Sequence, residues 1–181
     1  MRPFIIGICG GGSGAGKTTV ACRLLEQFPS WGAIKYTKTS LYGSVTDDLK
    51  VLSQKGKDTE RFLDAGAGRV LWVQSPFHEL PEVLPVALDM LSHLQGVIVE
   101  GNSAVKVLRP DIVIFIAGPE GTIKEGAEDL LRMADIVVSA KELRGAHQRA
   151  KKFRMEEIGA MVECISATVR DRTTSRECPG A

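Results

Sequence analysis

A glycine-rich segment near the start of the chain has the residue types that bind phosphate. Residues 11–18 read Gly-Gly-Ser-Gly-Ala-Gly-Lys-Thr and match the pattern G-x-x-x-x-G-K-[ST] at every fixed position. Glycines let backbone N–H groups surround phosphate oxygens, and a helix that begins at Lys17 adds the partial positive charge of its N-terminus. The residues expected to bind a nucleotide here are Gly11, Gly12, Ser13, Gly14, Ala15, Gly16, Lys17, Thr18 and Thr19.

Three side chains of this segment have separate expected roles. The Lys17 ammonium should reach the β- and γ-phosphates of a nucleoside triphosphate, which makes Lys17 a candidate catalytic residue. The Thr18 hydroxyl should be a ligand of Mg²⁺, and Thr19 should contact the α-phosphate. The expected cofactors are therefore Mg²⁺ and a nucleoside triphosphate, GTP or ATP.

A carboxylate ends a later apolar run. Residues 97–99 are Val-Ile-Val and are followed by Glu100 and Gly101, so the carboxylate stands at the end of an expected buried strand. Beside a phosphate loop, such a carboxylate holds Mg²⁺ or orients an attacking water molecule. Glu100 is therefore a candidate metal ligand and catalytic residue. Asp111 begins the next apolar run, at the opposite end of a strand, and we expect a structural role for it.

Apolar runs with the length of strands alternate with segments of helical periodicity. Strands are expected over 4–9, 33–39, 69–74, 96–100, 111–117, 135–139 and, at an edge, 162–168. Helices are expected over 17–28, 58–66, 80–94, 122–133 and 145–160. Residues 43–57 are expected to be a loop. This alternation predicts an α/β fold of the P-loop NTPase type, three-layered and doubly wound around a mainly parallel sheet, with its ligand at the carboxyl ends of the strands.

Length, charge and cysteine spacing argue against several other classes of protein. The 181 residues fit one domain, expected over 1–168 with a flexible C-terminal tail over 169–181. The 23 basic and 22 acidic residues give a net charge of +1, which argues against a dedicated nucleic-acid-binding protein. No apolar run has the length of a membrane span or a signal-peptide core, so we expect a cytoplasmic protein. The four cysteines, including Cys178, and the three histidines have no zinc-site spacing.

Further motifs between these segments go beyond what a phosphate loop requires. Ile34-Lys35 closes an expected strand, Gly56-Lys57-Asp58-Thr59-x-Arg61 follows a loop, and Ala65-Gly66-Ala67 precedes the next strand. With Val99-Glu100-Gly101, this order resembles the molybdopterin-guanine dinucleotide biosynthesis protein B (MobB) family of small P-loop NTPases. The resemblance spans residues 4–117.

The resemblance implies GTP binding with Mg²⁺, weak hydrolysis, a homodimer, and a supporting role beside the enzyme that attaches GMP to molybdopterin. Five residues match family motif positions and take their expected roles from it: Lys17, Thr18, Asp58, Arg61 and Glu100. Two departures are clear. The family has a histidine-rich stretch where residues 36–40 here read Tyr-Thr-Lys-Thr-Ser, and the chain after residue 118 differs from the usual family C-terminus.

A guanine-reading Asn-Lys-x-Asp motif is absent from the sequence. The segment nearest to it, Ser139-Ala140-Lys141-Glu142, follows an expected strand. Lys141 could lie along the face of a purine, but Leu143 stands where the base-pairing aspartate would be. Two interpretations stay open, recognition of the base and an ordinary connection between a strand and a helix.

Two other functions fit the same motifs. The glycine-rich segment also suits uridine-kinase-like small-molecule kinases, in which Asp58 and Arg61 would form part of an acceptor site. A non-catalytic binding module, switched in shape by its nucleotide, is the other alternative. The basic residues within 144–154 fit a phosphate-binding lid, a partner surface or a solvated helix face.

Overall fold

The computed structural model describes residues 2–12 and 14–177, and for 173–177 it describes the backbone alone. Met1, Ser13 and residues 178–181 lie outside the described residues. The expected role of Ser13 in phosphate binding therefore stays a prediction, and Cys178 also lies outside the described residues.

One sheet contains all the strands of the described chain. They are β1 (Phe4–Gly10), β2 (Gly32–Lys38), β3 (Ser44–Thr46), β4 (Arg69–Ser75), β5 (Gly96–Glu100), β6 (Ile112–Ile116), β7 (Ile136–Val138) and β8 (Lys151–Phe153). Their order across the sheet is β3-β4-β2-β5-β1-β6-β7-β8. Every neighbouring pair is parallel except β3 and β4, which are antiparallel. The mainly parallel sheet predicted from the sequence is confirmed.

Helices cover both faces of this sheet. They are α1 (Lys17–Gln27), α2 (Leu49–Leu52), α3 (Asp58–Asp64), α4 (Leu80–Asp89), α5 (Asn102–Leu108), α6 (Glu128–Arg132) and α7 (Ile158–Glu177). Short 3₁₀ turns occupy Pro119–Gly121 and Met155–Glu157. No helix within the described ranges is long and apolar enough to cross a lipid bilayer.

Side chains of the central strand β1 alternate between the two layers of helices. Phe4, Ile6 and Ile8 pack in one apolar cluster with residues of α1, α3 and α7. Ile5 packs in a second cluster with α4 and α5, and Cys9 in a third with α5 and α6. Because β1 is buried on both faces, its residues form a continuous apolar run, and the three-layer architecture predicted from the sequence is confirmed.

The last third of the chain differs from the sequence-based assignment. The helix predicted over 145–160 is wrong, because residues 151–153 form the parallel edge strand β8. The edge strand predicted over 162–168 is also wrong, because these residues belong to α7. Helix α7 continues to Glu177 and so includes residues 169–177 of the segment expected to be a flexible tail.

Smaller differences occur elsewhere in the chain. The expected loop over 43–57 contains β3 and α2. The helix predicted over 122–133 is reduced to the short α6, which begins at Glu128. Helix α5 directly after Glu100 was not predicted at all. It places Asn102 beside the phosphate loop.

Candidate functional site

The phosphate loop joins the end of β1 to the start of α1. Helix α1 begins at Lys17, and Gly16 before it has a φ of 94°. A side chain at Gly16 would be strained in this left-handed conformation, and its Cβ would come within 2.6 Å of the Met155 Cε atom. Gly14 also has a positive φ, of 78°. The glycine positions of the sequence pattern therefore include backbone conformations that favour glycine.

The Lys17 side chain folds back over the loop. Its Nζ donates to the carbonyl oxygens of Gly11 at 2.6 Å and of Gly12 at 2.7 Å. Burial lowers the pKa of the Lys17 ammonium, and the nearby Glu100 carboxylate opposes part of that effect. Phosphate oxygens would offer this ammonium charged acceptors in place of neutral carbonyl groups. A hydrogen bond between two ions is stronger than one from an ion to a neutral carbonyl group.

The Thr18 hydroxyl lies between two carboxylates. Its Oγ1 atom is 2.9 Å from Asp58 Oδ1 and 3.0 Å from Glu100 Oε2. A hydroxyl has one proton and donates to only one of these oxygens at a time. The structure therefore brings together Thr18, Asp58 and Glu100, which the sequence analysis expected in one site.

Lys35 reaches the same two carboxylates from β2. Its Nζ is 2.6 Å from Asp58 Oδ2 and 2.5 Å from Glu100 Oε1. Glu100 is only 2% exposed, so its negative charge requires a partner. Lys35 was missed as a site residue. The signal that could have identified it is a lysine inside an expected strand, within the motifs that resemble MobB.

This cluster shifts the pKa of both Lys35 and Asp58. Burial acts to lower the pKa of Lys35, but Glu100 and Asp58 outweigh it and raise that pKa above its ordinary value. Burial acts to raise the pKa of Asp58, but the contacts with Lys35 and Thr18 outweigh it and lower that pKa. Both groups therefore stay charged over the physiological pH range.

The oxygen atoms of this cluster fit Mg²⁺. Mg²⁺ prefers oxygen ligands and is usually bound through one or two carboxylates together with water and substrate phosphates. Thr18, Asp58 and Glu100 supply a hydroxyl and two carboxylates, and the Thr18 proton can satisfy only one of the two carboxylate oxygens that it faces. Lys35 is the cation that neutralises these carboxylates in the structure, so Mg²⁺ and the Lys35 ammonium would compete for the same oxygen atoms.

Arg61 lies on α3, three residues after Asp58. Its Nη2 donates to Thr19 Oγ1 at 3.1 Å, which places the guanidinium beside the residue expected at the α-phosphate. Arg61 therefore lies within reach of a nucleotide phosphate, and its charge also helps to lower the pKa of Asp58.

Asn102 fixes the start of the phosphate loop. Its Oδ1 accepts a hydrogen bond from the Gly10 N–H at 2.9 Å, and its Nδ2 donates to the Gly10 carbonyl at 3.0 Å. Gly10 has a φ of 119°, and both of its backbone groups are thus paired by one side chain. Asn102 is a second residue that sequence reasoning missed.

Two adjoining cavities surround the phosphate loop. The larger has a volume of 700 Å³ and contains Lys17 together with the Thr18, Lys35, Asp58 and Glu100 cluster. The second has a volume of 340 Å³ and shares Thr19 and part of the loop with the first. It extends past the ends of β6, β7 and β8, where it is lined by Pro119, Glu120, Ser139, Ala140, Met155 and Glu156. This order of cavities suits a triphosphate followed by a nucleoside.

The segment expected to read the base contributes in part. Ser139 and Ala140 line the 340 Å³ cavity. Lys141 instead forms an ion pair with Glu120 at 2.5 Å, and its contact with a base stays a prediction. Leu143 packs against an apolar cluster and offers no polar group at this position. Met155 and Glu156, from the turn after β8, were missed because that region was assigned to a helix.

A third cavity, of 280 Å³, adjoins the cluster of Thr18, Lys35, Asp58 and Glu100. It shares Lys35, Thr37 and Asp58 with the 700 Å³ cavity. Its far wall is Trp72, whose ring lies 4.7 Å from Lys57 Nζ and whose Nε1 donates to Thr37 Oγ1 at 3.1 Å. A second ligand bound there would lie next to the terminal phosphate of a nucleotide.

Comparisons with known proteins bear on the fold. No protein-family model and no curated protein matches the chain. The structure of HypB from Helicobacter pylori in complex with nickel matches 94% of this chain and 89% of that one, at 12% identity and a TM-score of 0.60. LpxK from Aquifex aeolicus in complex with ATP matches 85% of this chain and 54% of that one, at 18% identity and a TM-score of 0.50. A MobB structure matches 91% of this chain and 99% of that one, at 22% identity and a TM-score of 0.48.

Identities this low show a shared fold. The match in fold agrees with the mainly parallel sheet and the helices on its two faces. The chain therefore has the P-loop NTPase fold.

Proposed function

We propose that the protein binds a purine nucleoside triphosphate with Mg²⁺, GTP ahead of ATP, and hydrolyses it slowly. The observation that carries this proposal is the cluster of Thr18, Lys35, Asp58 and Glu100 beside the phosphate loop, with contacts of 2.5–3.0 Å. A loop that only turned the chain would not require two carboxylates and a lysine around the first threonine of α1.

The residues of the site would divide the work by position. Lys17 would leave the carbonyl groups of Gly11 and Gly12 and bind the β- and γ-phosphates, while Arg61 and Thr19 would contact the α-phosphate. When bound, Mg²⁺ would neutralise charge on the phosphate oxygens. Glu100 would orient the attacking water. Its carboxylate also forms an ion pair with Lys35.

The biological role that we propose for this nucleotide binding is taken from the resemblance to MobB. We infer an accessory role in molybdenum cofactor biosynthesis, in the cytoplasm, as a homodimer that acts beside a molybdopterin-binding assembly enzyme. The motifs over residues 34–67 support this inference. A role of this kind predicts turnover that rises with a protein partner.

A small-molecule kinase is the second candidate, and the 280 Å³ cavity at Trp72 favours it. In that case a hydroxyl group of the acceptor would lie at Asp58, attack the γ-phosphorus and pass its proton to the Asp58 carboxylate, while the nucleoside diphosphate leaves with the bridging oxygen. Turnover stimulated by a small hydroxylated compound, and abolished in Trp72→Ala, would select the kinase over the accessory role.

Competitive binding of GTP and ATP with Mg²⁺ tests the proposal. A site that pairs a base edge fully rejects the wrong base by about 10⁴-fold. Since Leu143 offers no polar group to a base edge, we expect GTP to be preferred by only about 10-fold to 100-fold, with slow release of phosphate. Failure of both nucleotides to bind would overturn the proposal. A preference for GTP of about four orders of magnitude would show that the base is read by other residues.

A further inference from the structure

A cavity of 580 Å³ lies at the amino ends of the strands, opposite to the end of the sheet that carries the phosphate loop. It is lined by Ile112, Ile136 and Lys151, the first residues of β6, β7 and β8. Its sides are formed by the end of α6, at Arg132, and by the face of α7 that carries Cys164, Thr168 and Arg172. Because the nucleotide cavities lie at the carboxyl ends of the same strands, this cavity is separate from them. None of the described residues of the phosphate loop lines it.

Four cationic side chains and one histidine line this cavity, against a single carboxylate. The basic residues are Arg132, His147, Arg149, Lys151 and Arg172. The carboxylate is that of Asp135, which accepts a hydrogen bond from the Val113 N–H at 2.8 Å. In a chain with a net charge of +1, this is a local excess of positive charge.

Arg149, Lys151 and Arg172 form no ion pair with a carboxylate of the described residues. Lys151 Nζ donates to Cys164 Sγ at 3.1 Å. Arg172 Nη1 donates to the Asp111 carbonyl oxygen at 2.5 Å. Arg149 forms no ion pair with a described carboxylate, whereas Arg132 pairs with Asp129. The Asp135 carboxylate is therefore the one negative group among the described residues that line the cavity with these three cations.

We propose that this cavity binds a small ligand with two or more closely spaced oxyanion groups, either phosphates or carboxylates. Guanidinium groups bind such groups through paired hydrogen bonds, and lysine adds a point charge. The cavity volume of 580 Å³ falls within the usual range for small-molecule sites, about 300–1,000 Å³. A concave site bounded by two helices favours a small ligand over a nucleic-acid duplex.

The chain offers a matched pair of variants on β8. Lys151 lines the cavity, whereas the next residue, Lys152, pairs with Glu142 at 2.7 Å and does not line it. Lys151→Met and Lys152→Met therefore remove the same charge from adjacent positions of one strand. Arg149→Met is a second cavity variant at an exposed position, where the fold should tolerate the change.

Calorimetric titration with fructose 1,6-bisphosphate and with citrate tests the proposal. All variants carry Lys17→Ala, and the buffer contains no Mg²⁺, so that the result does not depend on nucleotide binding at the phosphate loop. We expect at least one anion to bind, with affinity about tenfold weaker in Lys151→Met and in Arg149→Met and unchanged in Lys152→Met. Binding of the bisphosphate alone or of citrate alone would identify the class of oxyanion.

Three results would overturn the proposal. The first is no binding of either anion to the protein with both lysines of β8 intact. The second is an equal loss of affinity in Lys152→Met, which would show diffuse attraction to surface charge. The third is a short DNA duplex that binds more tightly than both small anions with the same sensitivity to Lys151→Met, which would assign the surface to nucleic acid.

Discussion

Two carboxylates and two of their partners form a closed ring of contacts beside the phosphate loop. Asp58 and Glu100 each contact both Thr18 and Lys35, at distances between 2.5 and 3.0 Å. The four side chains come from α1, β2, α3 and the end of β5. Single substitutions at Glu100 and Lys35 test the role of a carboxylate and the role of the cation that neutralises it.

Glu100→Gln should separate binding from hydrolysis. Glutamine keeps the size and some hydrogen bonds of the side chain but removes the charge that faces the expected metal and water. We expect turnover at saturating nucleotide to fall by roughly 10²–10⁴, with little change in nucleotide affinity. Single-turnover hydrolysis and calorimetric binding measure the two quantities, with the exposed Glu163→Gln on α7 as the control.

Two other outcomes for Glu100→Gln have clear meanings. A parallel fall of Mg²⁺-dependent affinity and turnover would show that Glu100 acts mainly as a metal ligand. If neither quantity changes by more than about threefold, Glu100 has no role in the reaction and Asp58 becomes the carboxylate to test.

Lys35→Met should destabilise the protein and increase its affinity for Mg²⁺ in the absence of nucleotide. The substitution leaves the buried Glu100 carboxylate without its cation, which we expect to cost about 3 kcal/mol of unfolding free energy. A metal ion can replace that cation, so Mg²⁺ should bind the variant more tightly than the wild-type protein. Lys50→Met, at an exposed position of α2 that does not line the 700 Å³ cavity, is the control for denaturant unfolding and Mg²⁺ titration. Unchanged stability would contradict the role assigned to Lys35.

The pH dependence of this stabilisation follows from the two pKa shifts. The pKa of Asp58 is lowered, so its contribution is present above its ordinary pKa of about 3.9 and is lost as the pH falls through the lower folded value. The pKa of Lys35 is raised, so its contribution is present below about 10.4 and is lost as the pH rises through the higher folded value. The difference in stability between wild type and Lys35→Met should therefore be level near neutral pH and shrink at both extremes.

At the scale of the elements, α5 controls the geometry of the phosphate loop through its first residue. Asn102→Ala would leave the N–H and the carbonyl of Gly10 without their side-chain partner, at a cost of about 1–3 kcal/mol in unfolding free energy. We expect weaker nucleotide binding as well, because the loop begins at Gly10. Asn102→Asp is the comparison variant, since it keeps the acceptor for the Gly10 N–H. Wild-type nucleotide affinity in Asn102→Ala would show that the loop is held without this contact.

Strand order explains why the sequence indicated Glu100 but not Lys35. The pattern of apolar residues places Glu100 at the end of one strand and Lys35 inside another, but it does not show which strands are neighbours. In the sheet, β2 lies beside β5, and Lys35 is the register partner of Glu100. Asn102 was missed for a related reason, because its partner Gly10 is far away in the sequence and α5 was not predicted.

Local composition explains the wrong assignments in the last third of the chain. Strand β8 reads Lys-Lys-Phe and lies at the exposed edge of the sheet, where lysines are common and the apolar signal of a buried strand is absent. Residues 162–168 contain valine, isoleucine and threonine, which suggest a strand over so short a window. Met161, Ile165 and Val169 recur every four residues and are buried, which is the helical pattern that α7 follows.

Across the whole molecule, the phosphate-loop site and the basic cavity lie at opposite ends of the strands of one sheet. The nucleotide cavities are at the carboxyl ends of the strands, and the basic cavity is at the amino ends. Residues 151–156 connect the two sites. Lys151 lines the 580 Å³ basic cavity, and Met155 and Glu156 line the 340 Å³ cavity beside the phosphate loop. The parallel topology that creates the phosphate loop therefore also creates the second site.

Thermal unfolding of the wild-type protein and Lys17→Ala with Mg²⁺ and GTP is the measurement that tests nucleotide binding at this loop most directly. A ligand at 100 times its dissociation constant adds about 2.7 kcal/mol of stability, which should raise the wild-type melting temperature by about 5–10 °C. Lys17→Ala should melt near the wild-type temperature without nucleotide and show no rise with it, whereas the exposed Lys50→Met should behave like wild type. A full nucleotide-dependent rise in Lys17→Ala would contradict the assignment of residues 11–18 as the phosphate-binding loop.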